Sequence, residues 1–355
     1  MRDFQPAPGS PAATAGPRPK IASPVEGDFS LNNFEFTSGE TLPALRIHYR
    51  TLGEPRRDER GVVANAVLLL HGTGDSGSQF MIPEFAGELF GPGQPLDVSR
   101  YFVVLPDGIG HGGSSKPSDG AHARFPRYGY NDMVAAQYRL LTAGLQVQRL
   151  RLVMGISMGG MHTWMWGQSY PDFMDALLPL ASLPIQICGR NRVWRRAISD
   201  AIRGDPQWRG GEYREQPPSL RTAAQIRFLM GSNSLLRRQL MPSLTDSDAV
   251  LDAAVETAVK QSDANDVLYQ IEASRDYDPG PRLEQIRAPL LALNWADDLI
   301  NPPELGVLER EIQRVPQGHA VLIPCTAQTR GHESHTIAAA WKQYLRQLLD
   351  SAPYR

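Results

Sequence analysis

The stretch LRLVMGISMGGMHTWMWGQSYPD, Leu150–Asp172, sets the reading of the whole chain. An apolar, β-forming run (Leu150–Met154) leads into Gly155-Ile156-Ser157-Met158-Gly159, and a helix-forming run follows. A serine lifted off a strand end into a helix sits on a turn too tight for side chains two residues to either side. Glycine at those places relieves the crowding. A G-x-S-x-G match alone is modest support, because glycine and serine are common. Its placement between a strand and a helix is what marks Ser157 as a candidate nucleophile.

The same alternation extends outward from this turn. Strand candidates are Leu45–Tyr49, Ala66–Leu70, Tyr101–Leu105, Leu150–Met154, Leu177–Ala181, Pro289–Asn294 and Ala320–Pro324. Runs such as AVLLL and YFVVL are continuously apolar, as strands are when both faces of a parallel sheet are covered by helices. Helical patterns over Asp132–Thr142, Met158–Tyr170 and Thr336–Leu349 lie between or after them. The expected fold class is therefore α/β, a doubly wound, mostly parallel sheet. The rhythm breaks over residues 183–286, where the chain turns arginine- and proline-rich and helical. This segment is expected to be a helical cap inserted into a core of residues 29–182 and 287–355. Residues 1–28, rich in proline and alanine, are expected to form a flexible N-terminal segment.

Composition narrows the function classes. The chain has 355 residues, 41% of them hydrophobic, and a formal charge of −2. That balance gives no sign of a nucleic-acid partner. Its two cysteines, Cys188 and Cys325, form no ligand cluster, and no histidines pair at metal-binding spacing, so neither a metal nor another cofactor is expected. No apolar run is long enough for a membrane span, and the N-terminus lacks the apolar region of a signal peptide. A cytoplasmic location is expected.

A nucleophilic serine needs a base, an acid that orients the base, and donors for the oxyanion. In a sheet of this kind they follow in the order serine, acid, histidine, each after a later strand. After PLLALN comes WADDLINPP with Asp297 and Asp298; after AVLIP comes CTAQTRGHESHT with His332 and His335. Asp298 and His332 are the preferred pair. Asp297 reads as a solvated or capping neighbour and His335 as the start of the last helix. The oxyanion donors are expected to be the backbone N–H groups of Met158 and of Thr73, the latter in the loop His71-Gly72-Thr73-Gly74.

These residues resemble the homoserine O-acetyltransferase branch of the α/β-hydrolase superfamily. The most specific stretches are FGPGQPLDVSRYFVV, FPRYGYNDMVAAQ, SMGGMHTWMWGQSYPD, DPQWRGGEY, DDLINP and GHESH. The resemblance implies Ser157 as nucleophile, Asp298 as acid, His332 as base, helices over the site and a homodimer. The chain departs from that branch in three places. The loops DGIGHGGS and HGTG are similar to those of hydrolases. Ala224 stands where the transferases carry a carboxylate-binding arginine, with Arg221 and Arg227 three residues to either side as candidate replacements. Glu333 follows the histidine where the transferases have aspartate, a third candidate substrate contact.

Lost acceptor contacts favour water as the acyl acceptor, since a hydrolase need only admit water. The expected activity is a serine hydrolase acting on a small-molecule carboxylic ester or thioester. The alternative is an acyl-CoA-dependent O-acyltransferase. A non-catalytic binding protein of the same fold is disfavoured by the complete serine, acid and histidine set. The cap arginines Arg190, Arg192, Arg195 and Arg196 are expected mainly on solvated helix faces.

Overall fold

A computed structural model describes residues 23–231 and 233–353. Eight strands form one sheet: β1 (Val25–Glu35), β2 (Thr41–Leu52), β3 (Ala66–Leu70), β4 (Phe102–Pro106), β5 (Leu152–Ile156), β6 (Leu177–Leu180), β7 (Leu290–Trp295) and β8 (Gly318–Ile323). Their spatial order is β1-β2-β4-β3-β5-β6-β7-β8. The pairs β1–β2 and β2–β4 are antiparallel, and all pairs from β4–β3 to β7–β8 are parallel. The fold is the doubly wound α/β sheet that the continuous apolar runs imply.

Those runs are apolar throughout because alternate residues feed different cores. Ala66, Leu68 and Leu70 of β3 enter one cluster, together with Met133 and Trp166 from the helices α2 (Tyr130–Arg139) and α3 (Met158–Ser169). Val67 and Leu69 enter the cluster on the other face, with Phe85 of α1 (Pro83–Leu89) and Trp341 of the C-terminal helix α10 (Ala338–Ser351). Each fully buried valine and leucine side chain of β3 contributes about 1.5–3 kcal/mol of burial. The start of β5 is tied to the chain's end: Arg151, buried, donates to the carbonyls of Leu349, Ala352 and Pro353 and pairs with Asp175.

Between β6 and β7 the chain runs through α4 (Gly189–Gly204), α5 (Ser219–Gly231), α6 (Ser234–Leu240), α7 (Leu244–Gln261) and α8 (Ala264–Glu272). These helices have an apolar cluster of their own, which includes Trp194, Ile198, Leu220, Val267 and Ile271. A short helix, α9 (Val307–Glu311), lies between β7 and β8.

One expectation needs correcting. Of the segment 1–28 read as flexible, residues 1–22 lie outside the described residues, but Val25–Asp28 belong to β1. They pair with Thr51, Arg50, Tyr49 and His48. The stretch VEGDFSLNNFE reads as polar because β1 is an edge strand, mostly exposed, that buries only Leu31 and Phe34.

Candidate active site

The site starts at the end of β5. Ser157 has φ 54° and ψ −112°, a conformation that costs a non-glycine residue about 1–3 kcal/mol. The turn persists because its neighbours pack without side chains. A Cβ on Gly155 would lie 2.0 Å from the carbonyl oxygen of Gly159, and one on Gly159 would lie 1.9 Å from that of Leu70. The hydroxyl of Ser157 is thereby raised above the sheet at the start of α3.

The loops after β7 and β8 bring the other two groups to it. His332 Nε2 lies 2.8 Å from Ser157 Oγ, and His332 Nδ1 lies 2.8 Å from Asp298 Oδ2. An ionised carboxylate only accepts, so Nδ1 carries the ring proton and Nε2 is left to accept from the serine hydroxyl. Asp298 is 1% exposed. Burial pushes its carboxyl up, but His332 and the N–H groups of Asn301 and Ile300 outweigh this and hold it below the ordinary aspartate range.

The two rivals occupy different places. His335 is buried against the His332 ring, and burial followed by the His332 charge lowers it to about 3, so it stays neutral. Asp297 does not touch the imidazole. Its Oδ2 accepts from the backbone N–H of Gly331 at 3.1 Å and from Asn233 Nδ2 of the cap at 2.7 Å.

On the oxyanion side, Met158 is the first residue of α3, where the N–H has no acceptor inside the helix. The peptide bearing the Thr73 N–H is held at its Gly72 carbonyl, and the next peptide at its Thr73 carbonyl. His71 Nε2 accepts from the Gly108 N–H, so a neutral His71 has its proton on Nδ1 and donates it to the Gly72 carbonyl at 2.8 Å. Burial lowers the His71 pKa and favours that neutral form. Arg227 Nη2 donates to the Thr73 carbonyl at 3.2 Å. Sequence reasoning attached no role to His71 or Asn233, whose partners lie in distant loops.

Above Ser157 and His332 is a cavity of about 510 Å³, roofed by the cap. Thr73, Arg227 and Glu333 line it. Partial burial raises the Glu333 carboxyl, countered by the nearby Arg237 and His332. Arg221 does not reach the cavity: it is exposed and pairs with Asp252 at 2.5 Å. Six residues along an α-helix is a rotation of about 240°, so Arg221 and Arg227 cannot share a face. The arginine missed as a lining residue is Arg195. It is 2% exposed, lies over the Trp194 ring, and donates to Asn191 and Ser274. Among the described residues it has no carboxylate within salt-bridge distance. The other cap arginines behave as surface groups: Arg196 pairs with Asp200, Arg192 with Glu272, and Arg190 reaches the Leu299 carbonyl. Among the described residues no group of three or more His, Cys, Asp or Glu is placed to hold a metal ion, and no helix is long and apolar enough to cross a membrane.

Known proteins agree with this architecture. The family described as alpha/beta hydrolase fold matches residues 65–332. A probable acyltransferase from Methanothermobacter thermautotrophicus is 33% identical over 83% of this chain and 89% of its own. A homoserine O-acetyltransferase from Haloferax prahovense is 31% identical over 78% of this chain and 76% of its own. Among solved structures, esterase E22 superposes with a TM-score of 0.80 at 18% identity, covering 92% of this chain and all of that one.

Proposed function

The chain belongs to the α/β-hydrolase family, in its homoserine O-acetyltransferase-like branch, and from that premise we propose a serine hydrolase that cleaves a carboxylic ester. One observation carries the reading: an unbroken relay of 2.8 Å contacts from Ser157 through His332 to a buried Asp298, opening into a cavity. His332 Nε2 takes the Ser157 proton as Oγ attacks the ester carbonyl. The oxyanion of the tetrahedral intermediate is held by the N–H groups of Met158 and Thr73. His332 then gives its proton to the departing alcohol, leaving an acyl-serine. Water, deprotonated by the same nitrogen, attacks that ester and frees the acid and Ser157. Asp298 fixes the imidazole tautomer and stabilises the imidazolium formed in each half.

The roof of the cavity favours a small-molecule substrate that carries a negative charge. Among the described residues Arg195 is a buried cation with no carboxylate within salt-bridge distance, and Arg227 lies at the same cavity. Glu333 also lines the cavity, close to Gly231 of the cap and within the field of Arg237. Leu235, Leu240 and Leu244 are exposed on or beside the cap helices α6 and α7 and support a homodimer, to be checked by light scattering. Cys188 and Cys325 are free, exposed thiols that suit a cytoplasmic location.

The second reading is an acyl-CoA-dependent O-acyltransferase, favoured by the identities to the Methanothermobacter and Haloferax relatives. The first half-reaction is shared and only the acceptor differs. The deciding experiment supplies p-nitrophenyl acetate or acetyl-CoA, with and without homoserine, and counts products. Acetate release that is indifferent to homoserine supports the hydrolase; acetyl transfer to homoserine outpacing hydrolysis overturns it.

A further inference from the structure

Besides Arg190, which reaches the Leu299 carbonyl, two ties from the cap reach the catalytic loops from positions six residues apart, Arg227 and Asn233. Arg227, near the end of α5, donates to the Thr73 carbonyl. Asn233, the residue that caps α6, is 4% exposed and makes three contacts at once. Its Oδ1 accepts from the Leu236 N–H at 2.6 Å, and its Nδ2 donates to Asp297 Oδ2 at 2.7 Å and to the Thr329 carbonyl at 2.9 Å. The same Asp297 oxygen accepts the N–H of Gly331, the residue immediately before His332. Gly331 has φ +64°, and a Cβ there would crowd Asn233 and the Asp297 carbonyl at 3.2 Å. One side-chain amide therefore joins a cap helix, the acid loop and the histidine loop.

We propose that Asn233 and Asp297 are positioning residues that make seating of the cap set the place of His332, while Arg227 does the same for the Thr73 peptide. On this inference the two carboxylates of the pair Asp297-Asp298 divide the work. Asp298 orients the imidazole, and Asp297 holds the backbone that carries it. A tether of this kind changes the reaction geometry more than substrate affinity, because both catalytic half-reactions pass through His332 Nε2. The inference rests on the serine-hydrolase reading, and the experiment separates the two.

Asn233→Ser retains an oxygen to cap α6 but has no amide to donate to Asp297 or Thr329. Asp297→Asn keeps one oxygen for the two donors, whereas Asp297→Ala keeps none. With p-nitrophenyl acetate, Asn233→Ser and Asp297→Ala are each expected to lower kcat about tenfold with KM changed less than twofold. Asp297→Asn is expected to recover most of the loss. The double variant Asn233→Ser/Asp297→Ala should be no worse than either single variant, since both cut one connection. Arg221→Ala, on α5 but outside the cavity, is the control and should match the parent. Thermal melts accompany every variant, so that a loss of fold is not read as a loss of positioning. If Asn233→Ser turns over within twofold of the parent, if the two losses multiply, or if Asp297→Asn is as poor as Asp297→Ala, the inference fails. Loss of fluorophosphonate labelling in Ser157→Ala tests the hydrolase reading separately.

Discussion

The turn at Ser157 and the cap above it face the same cavity but are specified in different ways. The turn is fixed by covalent geometry and backbone packing. Gly155 and Gly159 leave no room for a Cβ, and the strand beneath is buried on both faces. The cap is a set of amphipathic helices whose roles depend on rotation about their axes and on how they dock. On one helix, Arg221 meets solvent and Arg227 meets the Thr73 carbonyl. On the proposed function, the difference teaches that the chemistry is built into the sheet, whereas selectivity and coupling are built into the part that docks on it.

The largest test of the contrast is at the sheet. Ser157→Ala is expected to lower ester hydrolysis by about 10⁴-fold or more and to abolish fluorophosphonate labelling. Retained labelling would remove Ser157 from its role. Asp298→Asn should cost about 10³–10⁴-fold in kcat with the fold intact, because the wrong imidazole tautomer is then favoured; a pH–rate profile with matched circular dichroism checks it. Gly159→Ala is expected to destabilise the protein by about 3 kcal/mol or more, read from urea denaturation, since backbone rather than a yielding side chain meets the added carbon.

The cap should respond more weakly and more selectively. Arg195→Gln is expected to lower kcat/KM for mono-p-nitrophenyl succinate about tenfold while leaving p-nitrophenyl acetate within threefold. An equal loss on both esters would make Arg195 a packing residue. The smallest effect concerns Asp266 of α8, which accepts from Ser118 N–H and Oγ and so docks the cap on the core. Burial, opposed by the Ser118 hydrogen bonds and reinforced by Asp263, raises it to about 6. The folded protein then binds this proton more tightly than the unfolded chain. Its contribution to stability weakens as pH rises from about 4 to 6 and stays at its reduced value above that. Asp266→Asn should flatten that part of the Tm profile between pH 4 and 7. An unchanged profile would show that docking is insensitive to this carboxyl.

What could be read from the sequence follows the same division. The loops bearing Ser157, Asp298 and His332 are legible because continuous apolar runs mark each parallel strand, and the glycines mark the sharp turn. The six strands β3 to β8 announce themselves in this way, and β2 shows in the sequence as the shorter run Leu45–Tyr49. β1 does not, since an edge strand with one exposed face needs few apolar residues. The placement of Arg195, Asn233 and Asp297 is illegible for another reason. A helix's local pattern gives its apolar stripe but not which charged residue at the stripe's margin a neighbouring loop will meet. The Asp297–Asn233 contact spans 64 residues, and the Arg227–Thr73 contact spans 154.

Arg151 has a practical consequence at the far end of the strand that leads to Ser157. Its guanidinium is buried, and its acceptors include Asp175 and three main-chain carbonyls between Leu349 and Pro353. Trimming the chain back to Leu348 would strip those carbonyls from a cation that water cannot reach, at a cost of several kcal/mol. For anyone engineering this enzyme, the last helix is a fastening rather than a tail, and truncations or fusions should be placed beyond Pro353.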